Sequence, residues 1–304
     1  MFIRTTLLAL LLATTAQAQA PKESPNKEHA PTEDEELAVA ALEGLMQQPS
    51  ERALPILKKV LAGSQSTLVK RRAIFVLSQI ESAEARAILL QTARSPNLEL
   101  RSEAIRSLGI DGDPKSLDAL KDIYNSGDED TKKNVLQAWM IAGHKDAVYQ
   151  IAASARTEAE ASEAIRMLGV MGATEELRKL GDRPTSTAGL LDAYAIAGDL
   201  EGLLRIVNGN GAHALRVDAV RRIGIVGDDA ARRALRDIYS RSAEADMKDA
   251  ALQGLLIADD DQGVLALYRA AKTPAEKRTL LRTLSAMDSD AALEAIDATL
   301  EKNP

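Results

Sequence analysis

The sequence contains no cysteine among its 304 residues. Disulfide bonds, thiolate metal sites, a catalytic thiol and a lipidated N-terminal cysteine are therefore excluded. Aromatic residues make up only 3% of the chain although 45% of it is hydrophobic, so the apolar content is mostly alanine and leucine. Both are strong helix formers, which favours closely packed helices over a sheet.

Long apolar runs are also scarce, and the most prominent one lies at the start of the chain. Arg4 precedes the apolar run Leu7–Ala13, and Ala16-Gln17-Ala18 follows it. These are the three parts of a secretory signal, and the run is far shorter than the ~20 residues that span a bilayer. We predict that residues 1–18 are a signal peptide, with cleavage after Ala20 as the alternative to Ala18, and that the protein is periplasmic or extracellular.

Residues 19–36 differ sharply in composition from the rest of the chain. They hold three prolines, two lysines and six acidic residues, with almost nothing apolar. Such a segment cannot bury a hydrophobic face, so we predict a disordered acidic linker. The remaining 37–304 carry 35 basic and 39 acidic residues, without the basic excess typical of nucleic-acid binding.

From Leu37 onward the chain repeats a unit of roughly 30 residues. The clearest unit is LRSEAIRSLGIDGDPKSLDALKDIY from Leu100, and LRVDAVRRIGIVGDDAARRALRDIY from Leu215 is a close copy. Each unit has a turn between two helical patterns, and the turn recurs every 26 to 31 residues. The predicted turn positions are Ser50, Glu81, Gly112, Gly143, Gly172, Gly198, Gly227, Ala258 and Asp288.

Apolar residues occupy fixed positions before each turn, as expected for one face of a helix. Small residues recur three positions before it, which indicates that another helix passes close by. Aspartates directly after it, such as Asp113, Asp199, Asp228 and Asp259, are predicted to cap the second helix of each unit. The column four residues before the turn is Met46, Leu77, Leu108, Trp139, Leu168, Tyr194, Ile223, Gly254 and Leu284, in which only Gly254 breaks the pattern.

These units resemble HEAT repeats of the short kind found in phycobilisome lyases. The matching features are an Arg or Lys near the start of the first helix (Arg101, Lys132, Arg216), the Leu-Gly or Ile-Gly pair and the Gly-Asp turn. The resemblance covers 37–304 and implies an all-α, right-handed α-solenoid of about nine helical hairpins. It carries over no lyase activity, because no chromophore-binding motif can be matched.

Residues suited to catalysis are few. There are three histidines: His29 lies in the linker, His144 takes a cap position and His213 opens a first helix. Known nucleophile, zinc and phosphate-loop motifs are absent. The Asp-rich turns lack the spacing of a calcium loop and are better explained as helix caps, with weak calcium binding left open. We therefore predict no enzyme, no cofactor and no metal site.

Two irregular features leave alternatives open. The unit between Gly172 and Gly198 is short and holds a breaker run at 181–187, either a lost helical turn or a local change of curvature. An arginine column lies six residues before the turn. It predicts ion pairs with turn aspartates or a solvated face, with a basic stripe for an acidic partner as the sharper alternative. Its members are Arg106, Arg166, Arg221 and Arg282.

The function that this architecture favours is partner binding. Solenoids present a long concave surface, here assigned to the second helices, so we predict a non-catalytic scaffold that holds a protein or peptide outside the cytoplasm. The alternative is an accessory or assembly subunit of an envelope enzyme complex, recruited through the acidic linker. The candidate partner-binding residues are Asp118, Lys121, Asp122, Arg178, Arg233, Arg236 and Asp237.

Overall fold

The computed structural model describes residues 30–155, 158–181 and 188–301. Within these ranges the chain forms eighteen α-helices and no strand. The predicted signal peptide, residues 19–29 of the predicted linker and the breaker residues 182–187 lie outside the described part. The helices are α1 Glu33–Gly44, α2 Ser50–Ala62, α3 Thr67–Ser78, α4 Ala83–Thr92, α5 Leu98–Asp111, α6 Pro114–Ser126, α7 Glu129–Ile141, α8 Lys145–Ser154, α9 Glu158–Val170, α10 Thr174–Gly181, α11 Ala188–Ile196, α12 Leu200–Val207, α13 His213–Val226, α14 Asp229–Arg241, α15 Ala245–Ile257, α16 Asp261–Ala270, α17 Pro274–Ser285 and α18 Asp290–Glu301.

The helices pair into nine hairpins that stack in chain order. Each odd-numbered helix, here called a first helix, packs against the first helix of the next repeat, and from α3 onward it also packs against the even-numbered second helix that follows it. The column four residues before the turn forms the core, with Leu77, Leu108, Trp139 and Leu168 at most 1% exposed. The predicted all-α solenoid of helical hairpins is confirmed.

The eighth repeat corrects the sequence register by one residue. In five repeats a glycine with a left-handed backbone conformation, such as Gly227, follows the first helix. In the eighth repeat the residue with this conformation is Asp259, with φ 53°, rather than Ala258. Leu255, fully buried, therefore fills the core position that had been assigned to Gly254. The predicted cap at Asp259 is wrong for the same reason, because Asp260 accepts the hydrogen bond from the Gly263 amide.

The first repeat also departs from the prediction. Met46 lies in a short 3₁₀ turn and is 39% exposed, so it does not continue the buried column. Helix α1 begins at Glu33, inside the segment predicted to be a disordered linker. Thr32 and Glu35 form a reciprocal capping box there, which satisfies the free amides at the helix start. A strong local cap thus extends the helix beyond the apolar pattern.

The aspartate caps predicted at Asp113, Asp199 and Asp228 are present, and Asp228 gives a direct test. Asp228 accepts a hydrogen bond from the Ala231 amide at 2.7 Å, whereas the neighbouring Asp229 has an 85% exposed side chain. We expect Asp228→Ala to lower the free energy of unfolding by about 1 kcal/mol. Asp229→Ala, the control, should change it by less than about 0.5 kcal/mol. Urea unfolding followed by circular dichroism would measure both, and equal midpoints for the two variants would contradict the cap.

The two layers of the stack are packed to different degrees. At most junctions the first helices of adjacent repeats contact each other over a greater length than the second helices do, and the order reverses at α7/α9 and α15/α17. The first helices are therefore the more closely packed layer of the stack at most junctions. That the second helices line a concave surface stays a prediction.

Candidate functional site

The seven residues predicted to bind a partner lie on three separate second helices. Asp118, Lys121 and Asp122 are on α6, and all three are exposed. Arg178 is on α10, and the remaining three, Arg233, Arg236 and Asp237, are on α14. The intervening helices α8 and α12 separate these groups. The seven residues therefore form three separate charged groups on the layer of second helices, not one continuous patch.

Two of these residues, Arg178 and Arg236, pair with buried aspartates of the next repeat. The Arg178 Nε donates to Asp199 Oδ2 at 2.8 Å, and the Arg236 Nη1 donates to Asp260 Oδ2 at the same distance. The Asp199 side chain is only 1% exposed and also caps α12 through the Gly202 amide. The hydrogen bond to Asp199 raises the pKa of Arg178 above its ordinary value. Each pair ties a second helix to the turn of the next repeat.

The arginine column that sequence analysis singled out behaves differently. Arg166 and Arg221 pair with Glu163 and Asp218, each one turn earlier in the same helix, at 2.5 Å. Turn aspartates are instead contacted by arginines of the second helices. Arg86 on α4, whose Nε lies 2.7 Å from Asp111 Oδ2, continues that series. The predicted ion-pair ladder therefore exists, but a different column builds it.

Both histidines in the described residues lie beside acidic side chains. His144 makes no side-chain cap, and its Nε2 lies 3.6 Å from Asp118 Oδ1. The His213 ring bridges two carboxylates, with Nδ1 3.2 Å from Glu244 Oε2 and Nε2 in direct contact with Asp246. The exposed triad joins the starts of α13 and α15.

The His213 triad is the one cluster of metal-ligand type found among the described residues. Its two ring nitrogens face different carboxylates at hydrogen-bond distance. A metal bound at ~2.0–2.2 Å would instead have to lie between one nitrogen and the carboxylate oxygens. The arrangement fits a hydrogen-bonded cluster between neighbouring repeats better than a metal centre. The hydrogen bond from His213 lowers the pKa of the Asp246 carboxyl group.

Acid should weaken the repeat junctions, because capping carboxylates titrate. Hydrogen bonds from Ser116 lower the pKa of Asp113, and hydrogen bonds from Thr131 lower that of Asp128, both below 3.8. A carboxyl group whose pKa is lower in the folded than in the unfolded state stabilises the fold at pH values above its unfolded-state pKa. This stability is lost as the pH falls through its folded-state pKa. We expect the urea midpoint to fall from pH 5 to pH 3. Asp113→Asn should show a smaller fall over that range, and an equal fall would contradict this origin.

A row of exposed aliphatic side chains crosses the first-helix layer, and the sequence analysis missed it. In six consecutive repeats, the residue two positions before the left-handed turn residue is Ile or Val and is 49–61% exposed. An alignment of the repeats on their turns shows that Ile or Val recurs at this position. The sequence does not show whether that position is buried or exposed. We call this row the aliphatic stripe: Ile110, Ile141, Val170, Ile196, Ile225 and Ile257.

A groove of about 590 Å³ lies at one end of the stripe, over α5 and α7. Ile141 and Leu98 contribute its apolar lining, and Arg106, Lys133 and Glu103 contribute charged groups. Its mixed, open lining has no buried acid–base pair. It is an open groove rather than an enclosed cavity for a small ligand.

A protein-family model agrees with this architecture over part of the chain. Residues 57–140 match the family model for HEAT repeats. A structure of human deoxyhypusine hydroxylase in complex with glycerol is similar at 16% identity, covering 78% of this chain and 96% of that one, with a TM-score of 0.36. The CpcE–CpcF complex of phycocyanin lyase from Nostoc sp. PCC7120 is similar at 18% identity, covering 88% of this chain and 100% of that one, with a TM-score of 0.32.

These structural likenesses are too low to carry an argument about activity. No curated protein matches the chain. Among the described helices, none combines the length and the apolar character that crossing a membrane requires. Nine stacked hairpins, a buried column at each turn and the match over 57–140 lead to one assignment. The chain is an α-solenoid of helical hairpins, and its residues 57–140 match HEAT repeats.

Proposed function

We propose that this protein is a non-catalytic scaffold that holds a protein or peptide partner in the periplasm or outside the cell. The observation that carries the proposal is the stack itself, in which six consecutive repeats expose the same position of the first helix. Such a surface spreads many weak contacts along an elongated partner. A catalytic site would need a few groups converging in one recess, which is a different arrangement.

In-cell crosslinking of the full-length chain, followed by mass spectrometry, tests partner binding. Wild type should enrich a defined partner from the envelope or the medium. An Asp118→Lys/Asp122→Lys variant tests the second-helix prediction, because both side chains are exposed on α6. Its matched control is Glu51→Lys/Glu84→Lys, with two exposed acids on α2 and α4. If no protein is enriched under any condition, the scaffold proposal fails.

Export is part of the same proposal and has its own test. Signal cleavage removes residues 1–18, so the mature chain should begin at Gln19. Mass spectrometry of the purified protein and cell fractionation measure this directly. Full-length protein in the cytoplasm would contradict export but would leave partner binding standing.

The alternative is an accessory or assembly subunit of an envelope enzyme complex, recruited through the acidic residues 19–36. What favours it is the concentration of six acids in that short segment, against a nearly balanced body. Deleting residues 21–31 together with Glu33→Gln, Asp34→Asn and Glu36→Gln removes five of the six acids and leaves the Thr32–Glu35 capping box of α1 in place. Loss of the crosslinked partner in this variant would favour recruitment, whereas retention would favour the solenoid surface.

A further inference from the structure

The connection between α12 and α13 contains a chemically labile sequence. Residues 208–212, here called the α12–α13 loop, read Asn208-Gly209-Asn210-Gly211-Ala212 and hold both Asn-Gly dipeptides of the chain. The side-chain amide of asparagine is one of the thermolabile groups of proteins. A glycine after it has no Cβ that would keep its backbone nitrogen away from that amide. The sequence therefore offers two sites for the same intramolecular reaction.

The reaction joins the glycine nitrogen to the asparagine side chain. After losing its proton to base, the nitrogen forms a bond to Cγ, the Cγ–Nδ2 bond breaks, and the side-chain nitrogen leaves as ammonia. The cyclic succinimide that remains is opened by water. Opening at Cγ gives aspartate, and opening at the backbone carbonyl carbon gives isoaspartate, whose main chain runs through Cβ and Cγ. The net change is the gain of a water molecule and the loss of ammonia, without oxidation or reduction.

The structure restrains the first of the two dipeptides. Asn208 has helical dihedral angles, φ −88° and ψ −4°, and its amide donates to the Leu204 carbonyl oxygen at 3.0 Å. The Gly209 amide donates to the Ile206 carbonyl oxygen at 3.2 Å. This hydrogen bond must break before the Gly209 nitrogen can lose its proton and turn toward Cγ, which slows the reaction. Asn208 is therefore protected although its side chain is exposed.

The second dipeptide lacks these restraints. Asn210 and Gly211 are both exposed, and among the described residues no acceptor is found for the Gly211 amide. A Cβ at Gly211 would meet only the Leu215 Cδ2 atom, at 3.9 Å, whereas a Cβ at Gly209 would lie 3.0 Å from the Arg205 carbonyl oxygen. The Gly211 nitrogen can therefore lose its proton directly and has room to approach the Asn210 Cγ.

The Asp111-Gly112 pair gives an independent comparison, because aspartate can form the same succinimide with loss of water. The Gly112 amide donates to the Leu108 carbonyl oxygen at 3.1 Å, and the Asp111 carboxylate accepts from the Arg86 Nε at 2.7 Å. Both reacting groups are thus engaged at this helix end. Of the three pairs in the chain in which Asn or Asp precedes Gly, Asn210-Gly211 is the one whose glycine amide has no acceptor among the described residues.

We propose that Asn210 is a site of spontaneous deamidation, so that residue 210 becomes aspartate or isoaspartate as the protein ages. This modification is separate from the scaffold function and does not depend on it. The new carboxylate lies three residues before His213, which begins α13. Ala212 gives this helix start no side-chain cap, and a helix N-terminus favours a negative charge nearby. The product is therefore compatible with the folded chain.

The α12–α13 loop can accept both products without loss of packing. The side chains of Asn208, Asn210 and Ala212 are exposed, so none belongs to the core. The Arg216 Nε donates to the Val207 carbonyl oxygen at 3.0 Å, which joins the ends of α12 and α13 independently of the loop. Exposed loops tolerate insertions, and isoaspartate adds only one main-chain carbon. We therefore expect the modified chain to accumulate in the folded state.

Peptide mapping of the purified protein after incubation at mildly alkaline pH tests the site. Trypsin releases residues 206–216, which contain both asparagines. Residue 210 should convert at least about five-fold faster than Asn208, the rate effect of one hydrogen bond that must open first. The rate should rise with pH because base removes the amide proton. In heavy-oxygen water the product should gain a labelled oxygen, and a methyltransferase specific for isoaspartate should modify the aged chain.

A synthetic peptide with the sequence of residues 206–216 is the matched control, because it has both dipeptides and no fold. Its two asparagines should convert at similar rates, so that the preference for Asn210 appears only in the folded protein. Equal rates at Asn208 and Asn210 in the folded protein would overturn the proposal. No conversion at Asn210 over the time in which the peptide is fully converted would overturn it as well.

Two variants identify the reacting groups. Gly211→Ala should slow the conversion of Asn210, because a Cβ hinders the approach of the nitrogen, and Asn210→Gln should abolish it. Gly211 has no positive φ and open surroundings, so alanine should leave the urea midpoint unchanged. Asn210→Asp, which reproduces one product, should also unfold at the wild-type midpoint. Conversion of Gly211→Ala at the wild-type rate would show that the Gly211 nitrogen is not the nucleophile, and the proposal would fail.

Discussion

Gly224→Val should lower the free energy of unfolding by about 3 kcal/mol, the upper part of the range for overpacking a close contact. A Cβ at Gly224 would lie 2.4 Å from the carbonyl oxygen and 2.6 Å from the Cα of Gly254. Both atoms belong to the backbone of α15, so no side chain can move aside. Helix α13 must separate from α15, which opens the most extensively packed pair of first helices.

Urea unfolding followed by circular dichroism and by tryptophan fluorescence would measure this effect. Trp139 lies on α7, far along the stack from α13, so the two signals report on different repeats. Repeat arrays can lose cooperativity, and the helical signal should then show an early transition that the fluorescence signal lacks. The control is Gly44→Val, because a Cβ at Gly44 meets no atom within 4 Å. Equal midpoints for both variants would contradict the contact.

The close approach at Gly224 could be predicted from the sequence, but its partner could not. Recurrence of small residues three positions before the turn indicated a nearby helix. The residue that faces Gly224 is Gly254, which the sequence register had treated as an exception in the core column. Asp259 takes the left-handed conformation there. Aspartate tolerates that conformation better than alanine, and this preference is the one property of the sequence that distinguishes Asp259 from Ala258.

Which layer packs more closely could not be predicted from the sequence, because the spacing between repeats is a collective property of the stack. Glycine and alanine bring first helices together, whereas long arginines such as Arg178 and Arg236 span the gap from a second helix to the next turn. The sequence shows where these arginines lie in each repeat, but not which aspartate each one contacts.

For the same reason, the candidate site was only partly accessible from the sequence. Exposed second-helix charges such as Asp118 and Lys121 are where the helical pattern places them. The aliphatic stripe is different, because an isoleucine near a helix end normally indicates burial. Only the half-exposed fractions of Ile196 and Ile225, seen together with the packed first helices beneath them, identify a surface.

The largest stability loss should come from Trp139→Ala, at about 3–5 kcal/mol. Trp139 is 1% exposed, and its ring centroid lies 5.8 Å from that of Tyr124. Its indole N–H donates to the Leu117 carbonyl oxygen at 3.0 Å, which joins α7 to the second helix of the preceding repeat. Alanine removes the ring contacts and leaves a cavity between three helices that the rigid helical backbones cannot fill.

Tyr194 provides a matched measurement of the hydrogen bond alone. It occupies the same repeat position as Trp139, and its hydroxyl donates to the Leu177 carbonyl oxygen at 3.0 Å, the position equivalent to Leu117. Tyr194→Phe keeps the ring and should cost only about 1 kcal/mol. Urea midpoints of both variants would give the ratio of packing to hydrogen bonding at equivalent sites. If Tyr194→Phe costs as much as Trp139→Ala, the hydrogen bond to the preceding repeat, and not the buried ring, holds the hairpins together.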